Sequence, residues 1–581
     1  MDLKPIIVRE YLESLTENEE LDALFPILLE SKGFTILSKP TEYKGFPQYG
    51  KDVIAVGKDF EDGQIKRFYF EIKGGQDRHV TTQTYKKNDG IRESILEAKD
   101  KDFNSSYPNF DSLLLKIVLV HNGEIKANIQ GTFDDFISKE FPENSIMKFE
   151  RWGISELTKL FSEHLFGAYL LTDQRTTKLF NRVLVNLNVN DGIQAEFIEL
   201  IDVLLFEKEE WHKNYEKKLP RKWKVLFESL KLISFIIHTE SKEYNNLDIA
   251  KRYLTHLLIR FWYWILKNKL ERKDKVIFYF NQIFVFYRDS MMEYYERTLP
   301  IAMIKDGLHS EKSGRYEQIG YTVRTFEYLQ HLCFLFNTDK FVFNEKFDSA
   351  STTETIKKIL SANSVSARPL IDVHSIPIMD TLNFLIESGE LEDAKEYLRE
   401  VLAYLQMRKS NHDILPDANN SIENVIKYSV NGFKPVFYSD STSPILTVLM
   451  EYTVILEAEE SYYLMRDFII EKDIDLGVFV PHHGINSTSK HLIEDRENDL
   501  DEQLFSRSVN DGYQSELILI NRDLKNEPLT FPEFKEKIKA RKNEFEYKYR
   551  TAEAGYSFLI DLAHIYFKTP YFPDKWRDLI K

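Results

Sequence analysis

The sequence predicts an α/β domain built on a mixed sheet, followed by a large all-α region. Three observations lead there. Up to about residue 174, amphipathic helical patterns alternate with strand-like runs, the order expected of a sheet flanked by helices. From about residue 178 onward, nearly every window reads as helix. The 581 residues are 43% hydrophobic and 29% charged, which suits a cored, folded chain and excludes a disordered or collagen-like one.

The elements follow in order. Residues 17–32 place Leu21, Leu24, Phe25, Leu28 and Leu29 on one helical face, and Gly33 closes the run. Pro26 lies inside that pattern and predicts a kink or a break. Residues 52–56 and 66–73 read as two strands of a hairpin, joined through the turn formers Asp62 and Gly63. A helix is expected over 90–99. The continuous apolar run 113–120 predicts a strand buried on both faces, and 147–151 a short last strand. Residues 154–164 predict a closing helix.

In the second half, 382–406 reads as two helices separated at Ser388-Gly389, an αα-hairpin of the tetratricopeptide-like kind, although no fixed period emerges. Aromatic-rich helices are expected over 222–295. Breaks are expected at 349–366, 411–421 and the acidic stretch 486–511. The segments implied are 1–174, 175–350 and 351–581.

Charge and composition narrow the function. Seventy-seven basic residues against 93 acidic ones give a net charge of −16, which excludes a uniformly basic nucleic-acid coat protein but leaves room for a local basic cleft. A single cysteine, Cys333, excludes a disulfide framework and a Cys-rich zinc site. The first residues show no signal pattern, and no apolar run approaches the roughly 18 to 20 residues that span a bilayer. A cytoplasmic protein with no membrane segment is expected.

The chemistry concentrates in residues 48–76, QYGKDVIAVGKDFEDGQIKRFYFEIKGGQ. Asp52 opens one strand and the next ends in Glu71-Ile72-Lys73-Gly74-Gly75. Residues two apart on a strand share a side, so Glu71 and Lys73 project together. Antiparallel pairing across the turn brings Asp52 beside them. Two carboxylates and the Ile72 carbonyl form a hard oxygen site of the kind Mg²⁺ takes, and an adjacent lysine holds water and stabilises charge on a phosphate. The bland alternative is a solvated strand face. Against it, Phe68, Tyr69, Phe70 and Ile72 surround Glu71 with apolar residues, where an unpaired carboxylate is costly. Gly74 and Gly75 are expected to let a ligand approach the backbone.

These residues resemble the PD-(D/E)xK restriction-endonuclease-like superfamily, in particular its Mrr-like members. The match rests on Gly50, Asp52, Glu71 and Lys73, after a helix, and covers about residues 10–170. Lys51 stands where the superfamily often has proline. The resemblance implies a Mg²⁺-dependent endonuclease, with Mn²⁺ as substitute. Asp52, Glu71 and the Ile72 carbonyl would be metal ligands, with Lys73 positioning or activating water. Relatives add an acid from the first helix, for which Glu20 and Asp22 are candidates. Gln83 and Tyr85 match a Gln and Tyr that some relatives place after the lysine.

Downstream, Arg78, Gln83, Tyr85, Lys86 and Lys87 are candidate nucleic-acid contacts; the plainer reading is a solvated face balanced by Asp77, Asp89 and Glu93. His482-His483-Gly484 lacks partners at ligand spacing and reads as a loop. The stripe Phe261-Trp262-Tyr263-Trp264 with Phe278, Tyr279 and Phe280 reads as core before it reads as a base-stacking platform. No Gly-rich phosphate loop and no nucleophile elbow is present.

The expected function is hydrolysis of nucleic-acid phosphodiesters, with DNA favoured over RNA. The helical region would sense, scaffold or oligomerise, and the partners would be nucleic acid and a partner protein or a second copy. By analogy of general design, such a chain suits a regulated effector of bacterial anti-phage defence. The alternative is a helical-repeat scaffold carrying an inactive nuclease-like domain. A site-specific restriction enzyme would need a basic recognition helix, and none stands out.

Overall fold

The computed structural model describes residues 4–38, 50–88, 90–162, 174–189, 192–207, 221–310, 316–344, 348–481, 500–506, 515–519, 528–540, 549–569 and 579–580. The chain divides into two compact units, Met1–Tyr253 and Leu254–Lys581.

The first unit opens with α1 (Lys4–Ser14), a π-helical turn (Glu17–Leu21) and α2 (Asp22–Ser31). Strands β1 (Thr35–Ser38), β2 (Val53–Lys58) and β3 (Ile65–Lys73) follow. Then come α3 (Thr82–Lys86), α4 (Ile91–Asp100), β4 (Leu115–His121), α5 (Ala127–Glu140), β5 (Lys148–Trp152) and α6 (Ile154–Leu160). The sheet runs β1-β2-β3-β4-β5, antiparallel across β1–β3 and parallel across β3–β5, so it is mixed, with β3 at the junction.

Every residue of β4 is buried, as its largely apolar run implies for a central strand, and this includes Lys116 and His121. One sheet face packs Ile54, Tyr69, Ile117 and Leu119 against Ile95 of α4 and Phe133 of α5. On the other, Phe70 meets Phe25 of α2 and Trp152, at ring-centroid distances of 5.1 and 5.5 Å. Helix α5 has no counterpart in the sequence reading, yet parallel strands need a crossover and α5 supplies it. Pro26 does not break α2. With the helix starting afresh at Asp22, Pro26 falls where the first in-helix N–H bond would form, so only that bond is lost. The irregularity lies upstream instead, where the Leu21 N–H reaches back five residues to the Thr16 carbonyl at 3.0 Å.

At the β2–β3 turn, Asp59, Glu61 and Glu150 form, among the described residues, the group of acids whose oxygens lie within 4.8 Å of one another. Lysines already occupy it. Lys116 Nζ lies 2.7 Å from Glu150, 2.8 Å from Glu61 and 3.0 Å from Asp59, while Lys66 Nζ lies 2.5 Å from Asp59 and 2.6 Å from Asp62. This is a charge network that lets Asp59 and both lysines be buried.

Helices α7 (Gln174–Val185), α8 (Ala195–Phe206) and α9 (Arg221–Glu243) belong to the first unit, and α10 (Leu247–Lys267) spans the division. The second unit is largely helical. Its α11 (Asp274–Ala302) and α12 (Glu317–Phe341) are long, and the aromatic stripe is core, with Phe261, Trp262, Trp264 and Phe280 fully buried. Helix α13 (Ser349–Ala362) occupies the stretch read as a break. Its Ser/Thr content suggested a loop, but Asp348 caps it and Thr353, Ile356 and Ile359 make a buried stripe.

The αα-hairpin is present as α14 (Ser375–Glu387) and α15 (Leu391–His412), followed by α16 (Ile422–Asn431), α17 (Pro444–Ile455) and α18 (Glu459–Glu471). A two-stranded ribbon, β6 (Gly477–Pro481) with β7 (Ser515–Leu519), departs from the all-helical expectation. His482-His483-Gly484 and most of 486–511 lie outside the described residues. Among the described residues, no helix is long and apolar enough to cross a membrane.

Asp372 gives this unit a pH dependence. It is 1% exposed, its Oδ1 accepts the Ile445 N–H at 2.9 Å, and its Oδ2 has no partner. Burial, with Asp417 adding repulsion against the Ile445 bond, pushes its pKa up to about 8. A carboxyl held above its unfolded value disfavours the fold increasingly as pH rises from about 4 towards 8. Asp372→Asn is therefore expected to stabilise the protein at pH 8 by on the order of 1–3 kcal/mol, with the gain vanishing near pH 4. Thermal melts across that range check it.

Candidate functional site

The hairpin places its acids as the strand periodicity requires. Val53 pairs with Phe70, which sets Asp52 opposite Glu71 at the open end of the hairpin. The Asp52 N–H donates to the Phe70 carbonyl at 2.9 Å, and Asp52 Oδ2 accepts the Ile72 N–H at 2.7 Å. Gly50 makes the entry possible. Its φ is +66°, and a Cβ there would lie 1.9 Å from the Ser94 carbonyl oxygen of α4. Glu71 is buried and Lys73 nearly so, with Lys73 Nζ 2.7 Å from Glu71 Oε1.

The acid contributed by the N-terminal helices is Glu17. Its Oε1 lies 3.9 Å from Lys73 Nζ and its Oε2 accepts the Gly74 N–H at 3.3 Å. Neither candidate read from the sequence takes that place. Glu20 caps the π-turn, accepting the Thr16 N–H at 2.7 Å and its hydroxyl at 2.8 Å. Asp22 is buried at the start of α2. The resemblance asks only for an acid on the first helix, and Glu17, which opens the π-turn, is the one that stands by Lys73. The visible clue was the acidic run after Thr16, a capping residue.

Gly74 also differs from expectation. The chain itself approaches closely there, since a Cβ would lie 2.8 Å from the Glu17 backbone nitrogen. The glycine lets the π-turn sit against the end of β3. Asn122, fully buried after β4, holds the same region by donating to the Leu12 and Leu15 carbonyls at 2.6 and 2.8 Å.

Two carboxylates, Glu71 and Glu17, thus meet the Lys73 ammonium, with Asp52 opposite Glu71 on the neighbouring strand. Burial, then the proximity of Glu71, holds the Asp52 pKa well above the ordinary aspartate value, despite Lys73 and the Ile72 N–H. Burial likewise raises Glu17, opposed by Lys73 and the Gly74 N–H. Burial disfavours the Lys73 ammonium, but Glu71, Glu17 and Asp52 outweigh it and keep Lys73 charged through the neutral range. The donors are hard oxygens of the kind Mg²⁺ and Mn²⁺ take, but the three carboxylates are not gathered within 4.8 Å of one another, so a shared cation would have to draw them together. Lys51 packs over Tyr69, 5.2 Å from the ring centroid, and burial brings its pKa down to about 8.

The remaining candidates separate. Tyr85 is core, packed on Phe133 and Phe136. Lys87 pairs with Asp77 at 2.5 Å. Arg78 donates to the Glu13 carbonyl at 2.6 Å and to His79 at 3.2 Å. Gln83 and Lys86 lie exposed on α3. No family model matches the chain, and neither a curated protein nor a solved structure does.

Two outcomes follow. Asp52→Asn replaces a carboxyl whose ionised form burial and Glu71 disfavour, so in chelator at a pH where the parent carboxyl is ionised it should melt at least about 2 °C higher than the parent. Divalent-cation stabilisation should be lost in the same variant. In the parent, that stabilisation should grow as pH rises, because the cation competes with a proton on Asp52, whose pKa is raised. Gly74→Ala should displace the π-turn and weaken cation stabilisation, whereas Gly63→Ala should not; calorimetric titration with Mg²⁺ checks both.

Proposed function

We propose that the N-terminal unit is a divalent-cation-dependent nuclease of the PD-(D/E)xK kind, acting on DNA. The observation that carries this reading is the placement of Glu71 and Glu17 against Lys73, with Asp52 opposite Glu71, at the end of β3 where the sheet turns from antiparallel to parallel. A cation bound there, held by the three carboxylates with the Ile72 carbonyl, would supply charge stabilisation to the phosphate under attack. The protein's own groups do the rest. The Ile72 and Gly74 N–H groups fix Asp52 and Glu17, so the carboxylates cannot swing away to solvent. Lys73, protonated near neutrality, is suited to hold water and to stabilise negative charge on the phosphoryl oxygens rather than to remove a proton.

The purified full chain should cut supercoiled plasmid or linear duplex in Mg²⁺ and in Mn²⁺, and not in chelator. Lys73→Ala, Glu71→Ala and Glu17→Gln should each lower the rate by about 100-fold or more. Single-stranded DNA and RNA run alongside define the substrate. Cutting that survives both Lys73→Ala and Glu71→Ala would remove the assignment. Binding without cutting in any metal would favour a scaffold with an inert domain.

A further inference from the structure

Most interior cations of the sheet face carboxylates. Lys66, Lys73 and Lys116 do so closely, and Arg67 lies 3.7 Å from Asp111. Two arginines at the C-terminal ends of the parallel strands do not: among the described residues, Arg78 and Arg151 have no acidic partner within ion-pair distance. Arg78 uses its guanidinium on the Glu13 carbonyl and on His79, and so serves the fold.

Arg151, half-buried in β5, has an imidazole as its closest side-chain partner, and the Glu156 carboxylate, bonded to the Gly153 N–H at 3.0 Å, stands nearby over the same turn. Arg151 Nη1 lies 3.4 Å from His121 Nε2, and His121 Nδ1 lies 2.9 Å from the Arg78 carbonyl oxygen. His121 is fully buried and neutral near pH 7, since burial brings its pKa down to about 4. Arg151 is therefore held without a direct ion pair, with Glu156 near it but outside contact distance, and its guanidinium keeps donors to spare.

Register decides where that charge lies. Glu71 pairs with Leu119 and Leu119 with Arg151, so the three form one row across the sheet. Laterally paired residues share a face, which puts Arg151 on the side of Glu71 and Lys73, two strands away or about 10 Å between Cα atoms. The guanidinium folds back over the turn into α6, where a Cβ at Gly153 would lie 3.2 Å from Nη1. The neighbouring loops are tied together, with Val80 bonded to Glu124 and to Lys126.

We propose that Arg151 binds a phosphate of the substrate strand next to the one that is cleaved. The strand would cross the C-terminal edge of β3–β5, with the scissile phosphate at Asp52, Glu71 and Lys73 and a flanking phosphate on Arg151. The planar guanidinium offers two parallel N–H donors to phosphate oxygens, and the phosphate supplies the direct ion pair that Arg151 otherwise lacks. The contact is to the backbone, so it positions the strand without reading sequence. This inference rests on the nuclease reading.

The test is fluorescence anisotropy of end-labelled single-stranded and duplex DNA, over a salt series, with the full chain carrying Lys73→Ala to prevent cutting. Adding Arg151→Ala should weaken binding about tenfold and lower the magnitude of the salt slope by about 1. Arg151→Lys should recover the slope but only part of the affinity. Melting curves identify any variant that fails to fold, and Arg151→Met keeps the side-chain bulk as a second probe. Unchanged affinity and slope in both Arg151→Ala and Arg151→Met overturn the inference while leaving Lys73-dependent cutting by the parent intact. Absence of both binding and cutting by the protein with Arg151 in place overturns the nuclease reading, and this inference with it.

Discussion

Burying more negative charge than one lysine can neutralise is the constraint on which the N-terminal unit turns. Glu71 is inside the fold, Asp52 and Glu17 lie partly buried beside it, and Lys73 is the cation that meets Glu71 and Glu17. The network at the other end of the hairpin shows what a balanced version looks like. There Asp59 is the fully enclosed acid, two buried lysines meet it, and Glu61, Asp62 and Glu150 keep contact with water. One end of β3 is thus finished as a structural joint and the other is left electrostatically incomplete. Uncompensated buried charge persists where it serves binding or catalysis, since stability alone would select against it.

Much of this was legible in the sequence. Strand periodicity located Asp52, Glu71 and Lys73, because a period of two leaves little freedom once a tight turn sets the pairing. The largely apolar run of β4 identified a central strand for the same reason. What the sequence hid has physical causes. Glu17 opens a π-turn, and it is Glu17 and not Glu20 that stands by Lys73. Helix α13 looks like a loop by composition because its serines and threonines bond locally, as Thr352 and Thr355 do to carbonyls four residues back. Crossover helix α5 follows from the sheet's topology and not from its own pattern. The ribbon of β6 and β7 pairs segments more than thirty residues apart, beyond any local signal.

The helices beyond the sheet also bear on the site. Tyr11 of α1 donates to Glu228 of α9 at 3.2 Å, and the Tyr11 ring packs on Phe235 at 5.6 Å. Glu228 is itself fully buried, and burial raises its pKa despite Lys231 and Tyr11. The segment that delivers Glu17 is therefore clasped from two sides, by β3 and Asn122 on one and by α9 on the other. A displacement of α9 would reach the carboxylates through α1, a short and well-packed route.

The π-turn has an evolutionary consequence. It is an α-helical turn carrying one extra residue, and each residue in a helix turns the chain by about 100°. Loss of a single codon between Thr16 and Leu21 would convert it to an ordinary turn. Helix α2 begins anew at Asp22, so its apolar face would remain on the sheet while Glu17 swung out of reach. Two chains with the same core, one with the Glu17 carboxylate beside Lys73 and one without it, would thus stand one small deletion apart.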